Sequence, residues 1–388
     1  MSVKMPPLTL GVEEEYQIID PVSRNLHSYV SHLLSQDANS AAPLNLRPEF
    51  MQSQIEVGSH ICRNIREVRQ ELVRLRGSVC RMAASHNLAI AAASTHPFAQ
   101  WRDQDITEGV RYRELLDDMQ GVARRLLIFG MHVHVGFGHQ DDPEMKNLMI
   151  EIMNQARYFI PHLLALSTSS PFWHGENTGL KSYRSVIFEM MPRTGIPHSF
   201  DSYAEYQGFE RTLERVGAFG KIDKVAKIWW DIRPHPKFDT LELRISDICT
   251  RIDEAVCIAA LFQAICYKLI RLRQQNLSWR HYRHMHISEN KWRAVRYGIR
   301  GELIDFGKEE SVPFHFLIGE LLEFLDDVVD DLGSRSEIDY VRTILQKGTS
   351  ADRQLETYHA HGGEDNKEKA LQAVVDHLVE ETKEGLSL

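Results

Sequence analysis

Cysteine is scarce in this chain, and the spacing of the cysteines argues against both a disulfide-stabilised protein and a zinc protein. Among 388 residues there are only Cys62, Cys80, Cys249, Cys257 and Cys266. Their number is odd and no pair has the CxxC spacing, so neither a disulfide framework nor a zinc site is favoured. Residues 1–10 lack the apolar run and cleavage site of a signal peptide. We therefore expect reduced thiols, mostly in the core of a cytoplasmic protein.

Long apolar runs and basic tracts are also missing. No segment contains roughly 18 uninterrupted apolar residues, so the sequence predicts no transmembrane helix and no membrane partner. The formal net charge is -9, and no basic stretch alternates with aromatic residues. This pattern argues against nucleic acid as a partner, which leaves small molecules as the expected ligands.

The common nucleotide-binding motifs are absent. There is no GxxxxGK followed by Ser or Thr, and no GxGxxG after a strand. Gly136 and Gly138 alone are a weak signal that is typical of a strand end. A P-loop or a dinucleotide-binding site is therefore not supported.

No repeat, low-complexity tract or long linker divides the chain. We therefore expect a single catalytic domain over residues 1–388, with a sheet-containing core over 8–310 and a helical extension over 311–388. From Phe314 onward the pattern is helical and increasingly charged, which predicts a solvated helical tail.

Alternation of polar and apolar residues predicts the strands. In residues 8–19 the apolar side chains share one parity and Glu13 and Glu15 the other, with Glu14 as the one misfit on the apolar side. Further strands are predicted over residues 51–57, 88–94, 129–137, 182–190 and 240–248. Helices are predicted over residues 63–86, 143–166 and 253–273. Short half-polar strands between long helices indicate the α+β class, with an antiparallel sheet that has one wet face.

Polar pairs with a spacing of two occur on three of these strands. They are Glu13 and Glu15, His132 and His134, and Glu242 and Arg244. Each pair lies on one face of its strand, about 7 Å apart. If the strands share a sheet, carboxylates and imidazoles converge into a site for a hard cation such as Mg²⁺ or Mn²⁺. Taken singly, the two glutamates are more typical of a solvated face, and Glu242 with Arg244 is more typical of a surface ion pair. The two histidines are as consistent with a structural pair as with metal ligands.

Arginine is the second recurring theme. Arg184, Arg193, Arg233 and Arg244 lie in Gly-, Pro- or Asp-containing surroundings. Guanidinium groups bind phosphate and carboxylate through two parallel hydrogen bonds. Together with an acidic wall, they suit a polyphosphate and an acidic substrate, although some could be ordinary ion-pair partners.

Several motifs along the chain resemble those of the type 2 glutamate–cysteine ligase family, whose members are carboxylate–amine ligases. The matching segments are 11–16 (GVEEEY), 49–56 (EFMQSQIE), 95–98 (THPF), 130–136 (GMHVHVG), 170–173 (SPFW), 182–184 (SYR), 230–234 (WDIRP) and 296–298 (RYG). Their order and number make the resemblance specific, and it covers nearly the whole chain.

The resemblance implies a glutamine synthetase-like fold, in which a curved antiparallel sheet carries helices on its outer face and binds ATP and divalent cations on its concave face. It implies metal ligands at Glu13, Glu15, Glu49, Glu56, His132 and Glu242. It implies catalytic roles for Arg184, Glu56 and Arg244. It implies contacts to ATP or substrate from Glu15, His134, Arg233, Arg193 and Lys181.

The implied reaction activates a carboxylate as an acyl phosphate, with ATP and Mg²⁺ or Mn²⁺, before an amine displaces phosphate. Glutamate and cysteine are the nominal substrates, and a homodimer is expected by analogy. Residues 177–181 (NTGLK) and 188–194 (FEMMPRT) depart from the family pattern. Lys181 and Glu189 therefore leave the identity of the carboxylate and amine open.

Two other classes remain open at this stage. A metallohydrolase can also carry an HxH strand, but it would need a parallel βα pattern and further His and Asp ligands. A non-catalytic relative could keep the fold alone. A metal site at His281, His284 and His286 is less favoured than a solvated loop, and His96 either lines the pocket or caps a strand end.

Overall fold

The computed structural model describes residues 4–40, 43–138, 142–218 and 228–387. The strands in these residues are β1 (Leu10–Ile19), β2 (Arg47–Pro48), β3 (Gln54–Gly58), β4 (Ala89–Ala91), β5 (Met131–Gly136), β6 (Phe172–Trp173), β7 (Glu176–Asn177), β8 (Thr194–Gly195), β9 (Trp229–Trp230), β10 (Ile232–Pro234), β11 (Thr240–Leu243), β12 (Glu302–Asp305) and β13 (Glu310–Pro313).

The α-helices in the same residues are α1 (Val30–Ala38), α2 (Ile65–Ala84), α3 (Val110–Met119), α4 (Pro143–Ala156), α5 (Ile160–Ser167), α6 (Tyr183–Glu189), α7 (Tyr203–Arg215), α8 (Ile252–Gln274), α9 (His284–Tyr297), α10 (Phe314–Leu325), α11 (Arg335–Asp339), α12 (Val341–Lys347), α13 (Ser350–Ala360) and α14 (Lys367–Thr382).

The main sheet has seven strands. Its order is β10-β11-β5-β1-β3-β2, and β4 pairs with the C-terminal part of β1. Every pairing in this sheet is antiparallel. The α+β expectation with an antiparallel sheet is therefore confirmed, and the parallel βα pattern that a metallohydrolase barrel needs is not present in this sheet.

One face of the sheet packs against helices α2 and α8. The apolar side chains of β1 and β5 point to this face and are fully buried, as the alternation predicted. Helix α2 begins after Asn64, whose side chain accepts a hydrogen bond from the backbone N–H of Glu67. Helix α8 is long and apolar enough to cross a membrane, but 78% of its apolar window is buried inside the protein. Such burial is typical of the central helix of a globular core.

The misfit residue Glu14 is explained by a partner on α2. Arg76 Nη2 lies 2.5 Å from Glu14 Oε1, and the hydroxyl of Tyr16 donates to the other carboxylate oxygen. Arg76 also donates to the carbonyl oxygens of Cys249 and Thr250 at the start of α8. Glu14 and Arg76 are both fully buried. The ion pair therefore connects the sheet to both helices behind it.

The C-terminal helices are not a solvated tail, so that expectation was wrong. Helix α14 packs against α13 and β4, and its apolar residues belong to the same core cluster as β1. Arg353 on α13 forms ion pairs of 2.7 Å with Glu254 on α8 and with Glu381 on α14. Some of the charged residues that suggested a solvated tail therefore form these buried ion pairs.

The strand predicted over residues 182–190 was also wrong, because Tyr183–Glu189 is the helix α6. Its buried residues Arg184 and Ile187 have helical spacing, but seven residues are too few for the pattern to separate a helix from a strand. The other predicted strands and helices are present, with strands shorter than predicted at their ends.

Replacing Arg76 with methionine should lower the free energy of unfolding by about 3–5 kcal/mol, since Glu14 would remain as a buried carboxylate without a cation. Urea denaturation measures this change. The double variant Arg76→Met/Glu14→Leu should recover most of the loss, because no charge is then buried. A loss below about 1 kcal/mol in the single variant, the upper range of an exposed ion pair, would contradict this account.

Candidate active site

The inner face of the sheet brings the three polar pairs together: five of the six residues line one cleft of about 530 Å³, and His134 lies next to Glu13 and Glu242. The antiparallel register places these side chains on neighbouring strands. The opposed pairs are Glu13 with His132, Glu15 with Glu56, Glu242 with His134, and Arg233 with Glu242. The convergence expected from the spacing of two is therefore present.

The first acidic group in the cleft consists of Glu15, Glu49 and Glu56. One carboxylate oxygen from each lies within 4.8 Å of the others. Burial, together with the charge of Glu56, raises the pKa of Glu15 to about 7. Burial and neighbouring carboxylates also raise the pKa values of Glu49 and Glu56. Three carboxylates that repel one another, one buried and two partly buried, are a set of oxygen ligands that a divalent cation would stabilise.

The second group consists of Glu13, His134 and Glu242, whose ligand atoms also lie within 4.8 Å of one another. Burial would raise the pKa of Glu13, but the hydrogen bond with His132 and the nearby ring of His134 hold it well below its ordinary value. Burial opposes ionisation of Glu242 too, and Arg244 and Arg233 hold the pKa of Glu242 well below its ordinary value. Both carboxylates are therefore ionised at neutral pH.

The resemblance implied His132 as the metal ligand, and this assignment stays a prediction. His134, rather than His132, belongs to the second group. His132 is nevertheless adjacent, with Nδ1 3.2 Å from Glu13 Oε2 and 3.8 Å from Glu242 Oε1. Burial lowers the pKa of His132 to about 4, so its ring is uncharged at neutral pH. Neutral imidazole is the form that coordinates a metal ion.

Arg47 is a cleft residue that was not predicted from the sequence. Its Nη1 lies 2.9 Å from Glu13 Oε1 and 2.9 Å from Glu56 Oε1, so it joins the two acidic groups. It occupies the two-residue strand β2, opposite Glu56. A strand of two residues has no alternation to detect, although its position two residues before Glu49 was a usable hint.

Arg184 is held at the edge of the cleft by backbone oxygens. Its Nη1 and Nη2 donate to the carbonyls of Ile245 and Arg244, each at 3.1 Å. Its Nε is buried and has no hydrogen-bond partner among the described residues. The backbone N–H of Arg184 donates to Ser170 Oγ, which donates to the buried Asp247. The guanidinium is thus fixed in place while one donor remains available.

Arg233 and Arg244 flank Glu242 in the same cleft. Arg233 Nε lies 2.7 Å from Glu242 Oε2, and Arg244 Nη1 lies 2.5 Å from Glu242 Oε1. The Nε of Arg244 is buried and has no hydrogen-bond partner in the described part of the chain. Like Arg184, Arg244 therefore keeps a donor for a ligand.

Three residues proposed from the resemblance are not part of the cleft lining, namely His134, which belongs to the second acidic group, Lys181 and Arg193. Lys181 forms an ion pair with Asp352, with Nζ 2.6 Å from Oδ1. Arg193 adopts a left-handed backbone conformation with φ 61° and lies over the ring of Trp229 at 5.8 Å. Trp229 itself lines the cleft.

The remaining histidines have structural contacts. His96 Nδ1 accepts hydrogen bonds from the backbone N–H groups of Phe98 and Ala99, so it stabilises the turn that follows it, five residues after the end of β4. His284 stacks on His198, and His286 stacks on Phe306. Within the described residues, neither acidic group contains a cysteine or one of the three clustered histidines.

Other lining residues were not found from the sequence. Arg111, Tyr112 and Leu115 on α3 cover the side of the first group. His235 and Phe238, in the turn between β10 and β11, lie beside the second group. Only their positions next to a motif, as for His235 after the WDIRP segment, could have suggested them.

An antiparallel sheet with helices on one face and a polar cleft on the other is the architecture of the glutamine synthetase-like fold. A bifunctional glutathione synthetase of Pasteurella multocida superposes with a TM-score of 0.66 at 16% identity, covering 97% of this chain and 53% of that one. A glutamate–cysteine ligase of Francisella tularensis, solved with AMP, superposes with a TM-score of 0.64 at 12% identity, covering 99% and 90%. These similarities confirm the expected fold.

The family is shown by sequence. The model of glutamate–cysteine ligase family 2 matches residues 9–377. A provisionally named glutamate–cysteine ligase 2 of Herpetosiphon aurantiacus is 53% identical over 382 residues, which are 98% of this chain and 95% of that protein. One of Sorangium cellulosum is 51% identical over 379 residues, 97% of each chain. This chain belongs to glutamate–cysteine ligase family 2.

Stabilisation by a divalent cation should increase with pH. Because the pKa values of Glu15, Glu49 and Glu56 are raised above 4.5, the cation-free native state binds their protons more tightly than the unfolded chain. The stabilisation that these bound protons give the native state is therefore lost as pH rises from about 4.5 through about 7. A cation replaces those protons, so the increase in Tm on adding Mn²⁺ should be small near pH 5 and larger near pH 8.

Differential scanning fluorimetry with and without Mn²⁺ measures this increase. The variant Glu56→Gln should lose most of it, whereas Glu323→Gln, at an exposed position on α10, should behave as the unmodified protein. An increase that is equal at all pH values, or unchanged in Glu56→Gln, would count against a cation at this group.

Proposed function

We propose that this protein is an ATP-dependent carboxylate–amine ligase that forms ADP and phosphate, with glutamate and cysteine as its nominal substrates. The observation that carries the proposal is one cleft with two acidic groups and two arginines, Arg184 and Arg244, that each keep an available donor. Cation sites and free guanidinium donors side by side are what the transfer of a phosphoryl group requires.

The donor sets fit Mg²⁺ or Mn²⁺. We assign ligands to Glu15, Glu49 and Glu56 in one group, and to Glu13 and Glu242 in the other, with His134 or His132 completing it. When bound, the cations would neutralise the charge of the ATP phosphates and of the transferred group. Arg47 occupies the space between the two groups and would move aside, since it is half-exposed.

The reaction follows in two displacements. A carboxylate oxygen of the first substrate attacks the γ-phosphorus of ATP, the bond to the β-phosphate oxygen breaks, and ADP leaves. The amine then attacks the carbonyl carbon of the acyl phosphate, phosphate leaves, and the amine proton passes to solvent or a carboxylate. Arg184 and Arg244 hold the phosphoryl oxygens through their available donors, and Arg233 keeps Glu242 in position.

A ligase for another carboxylate and amine is the second candidate. Phe188 and Met191, from the segment that departs from the family pattern, line the cleft together with Leu126 and Ile128. This apolar wall favours a substrate with an apolar group. The names of the relatives support glutamate and cysteine, whereas the wall supports a different pair.

We also propose that residues 1–388 act as one catalytic domain in the cytoplasm, as a homodimer, on small molecules without nucleic acid or membrane. A single cluster of buried apolar residues from Leu8 to Leu378 supports one domain. The five cysteines, all buried and unpaired, are consistent with a reducing compartment. Exposed Met285 and Trp292, seven residues apart on α9, offer an apolar contact for a second copy.

The decisive measurement is phosphate release from ATP and Mg²⁺ across a matrix of carboxylates and amines. Release should require one member of each class, with glutamate and cysteine tested first. Glu56→Gln should reduce the rate by at least about 100-fold, because it removes a carboxylate that would hold the cation that neutralises the transferred group. Glu323→Gln is the matched control and should keep the full rate.

Other outcomes separate the alternatives. Hydrolysis of a substrate without nucleotide would indicate a metallohydrolase. Binding of ATP with no release for any pair would favour a non-catalytic relative. Release with a pair other than glutamate and cysteine would establish the second candidate.

Gly130→Ala should impair catalysis while sparing cation binding. A Cβ at Gly130 would lie 2.5 Å from Arg184 Nη2, so the guanidinium must shift. A shift of about 1 Å in such a group reduces kcat by roughly 10- to 100-fold. Gly319→Ala, where a Cβ meets no atom within 4 Å, is the control.

Steady-state rates of phosphate release and the Mn²⁺-dependent increase in Tm measure the two effects. Full activity in Gly130→Ala would show that the position of Arg184 is not critical. Loss of the Mn²⁺ effect would show that the substitution disturbs the sheet itself.

A further inference from the structure

The turn between β10 and β11, residues 235–239, presents two stacked rings at the cleft. The rings of His235 and Phe238 lie 4.5 Å apart at an interplanar angle of 10°. Both residues line the cleft, and Phe238 is 52% exposed. Since His235 covers one face of the Phe238 ring, the exposed surface includes the opposite face. We call this pair the aromatic turn.

The aromatic turn is held in place by backbone hydrogen bonds. The N–H groups of Lys237 and Phe238 donate to His235 Nδ1, at 3.1 and 2.9 Å. The N–H of His235 donates to the carbonyl of Thr240, and the N–H of Phe137 donates to the carbonyl of Asp239. The exposed ring therefore sits on a fixed frame joined to β5 and β11, which limits the entropy lost when a ligand stacks on it.

The aromatic turn lies directly beside the second acidic group. The ring of His134, a member of that group, is 5.3 Å from the His235 ring and 6.4 Å from the Phe238 ring. The apolar wall of Phe188, Met191 and Ile128 belongs to other elements, next to Arg184. A ligand whose phosphates meet Glu13 and Glu242 would thus have an aromatic surface within reach.

A large apolar side chain exposed at a polar cleft suits a flat aromatic ligand. Aliphatic carboxylates and amines have no π-face, so they gain little from such a ring. Any nucleobase can stack on such a ring, because every base has a π-face regardless of its hydrogen-bonding groups. Of the ligands in the proposed reaction, only ATP contains such a group.

We propose that His235 and Phe238 form the stacking platform for the adenine of ATP, with the triphosphate extending toward Glu13, His134 and Glu242. This inference rests on the proposed ligase function and assigns the two ends of the cleft. The nucleotide lies at the β10–β11 end, and the carboxylate and amine lie at the α3 and α6 end. Neither residue was expected to have this role from the sequence.

The test compares two probes that differ in the base. Titration calorimetry measures the binding of ATP and of inorganic tripolyphosphate, each with Mg²⁺ and without the other substrates. Phe238→Ala should weaken ATP binding roughly 5- to 150-fold, the range found for the loss of one stacked base. Its affinity for tripolyphosphate should not change. Phe238→Trp should restore ATP binding, and Phe316→Ala, an exposed phenylalanine on α10, is the control.

Each outcome decides a separate question. Equal weakening of both probes in Phe238→Ala would overturn the platform, because the residue would then act on the phosphates or on the shape of the turn. Unchanged ATP binding in that variant would overturn it as well. If the unmodified protein binds tripolyphosphate but gains nothing from the base, the platform fails while the ligase proposal stands. If it binds neither probe, the ligase proposal itself fails.

Discussion

The cleft depends on carboxylates that are held closer together than their charges favour. Glu15, Glu49 and Glu56 are kept within 4.8 Å by the pairing of β1 with β3 and by the loop after β2. Burial and mutual repulsion raise their pKa values, and that energy is available to any cation that binds. The sheet must therefore be stable enough to impose this arrangement, and the rest of the molecule supplies that stability.

Three consecutive glutamates on β1 show how one strand both carries the charges of the cleft and contributes to the stability of the sheet. Glu14 faces the helices and is neutralised by Arg76. Glu13 and Glu15 face the cleft, but the neighbouring imidazoles lower the pKa of Glu13, whereas burial next to Glu56 raises the pKa of Glu15. Identical side chains thus acquire three electrostatic states from strand parity and from their neighbours. The ion pair behind the sheet fixes the strand whose front face carries repelling charges.

The sequence predicted what depends on regular alternation. Strand β1, the HxH strand β5 and the Glu-x-Arg segment of β11 have enough residues for parity to be read, so their side chains could be assigned to one face. The sequence did not predict Arg47, because β2 has two residues, or the aromatic turn, because a turn has no period. It misassigned α6, whose seven residues fit either spacing. The ion pair of Lys181 with Asp352 could not be predicted either, because the two residues are 171 positions apart in the sequence.

Long-range contacts also explain why the helical tail was misjudged. The charges of α13 and α14 suggested solvent, yet Arg353 and Glu381 lie in a buried network with Glu254 on the central helix α8. The N-terminus of α8 also receives the Arg76 hydrogen bonds through Thr250 and Cys249. The same helix start is therefore bound to the C-terminal helices on one side and to β1 on the other. The strand that carries Glu13 and Glu15 is therefore connected to the C-terminal helices through Glu14, Arg76 and the start of α8.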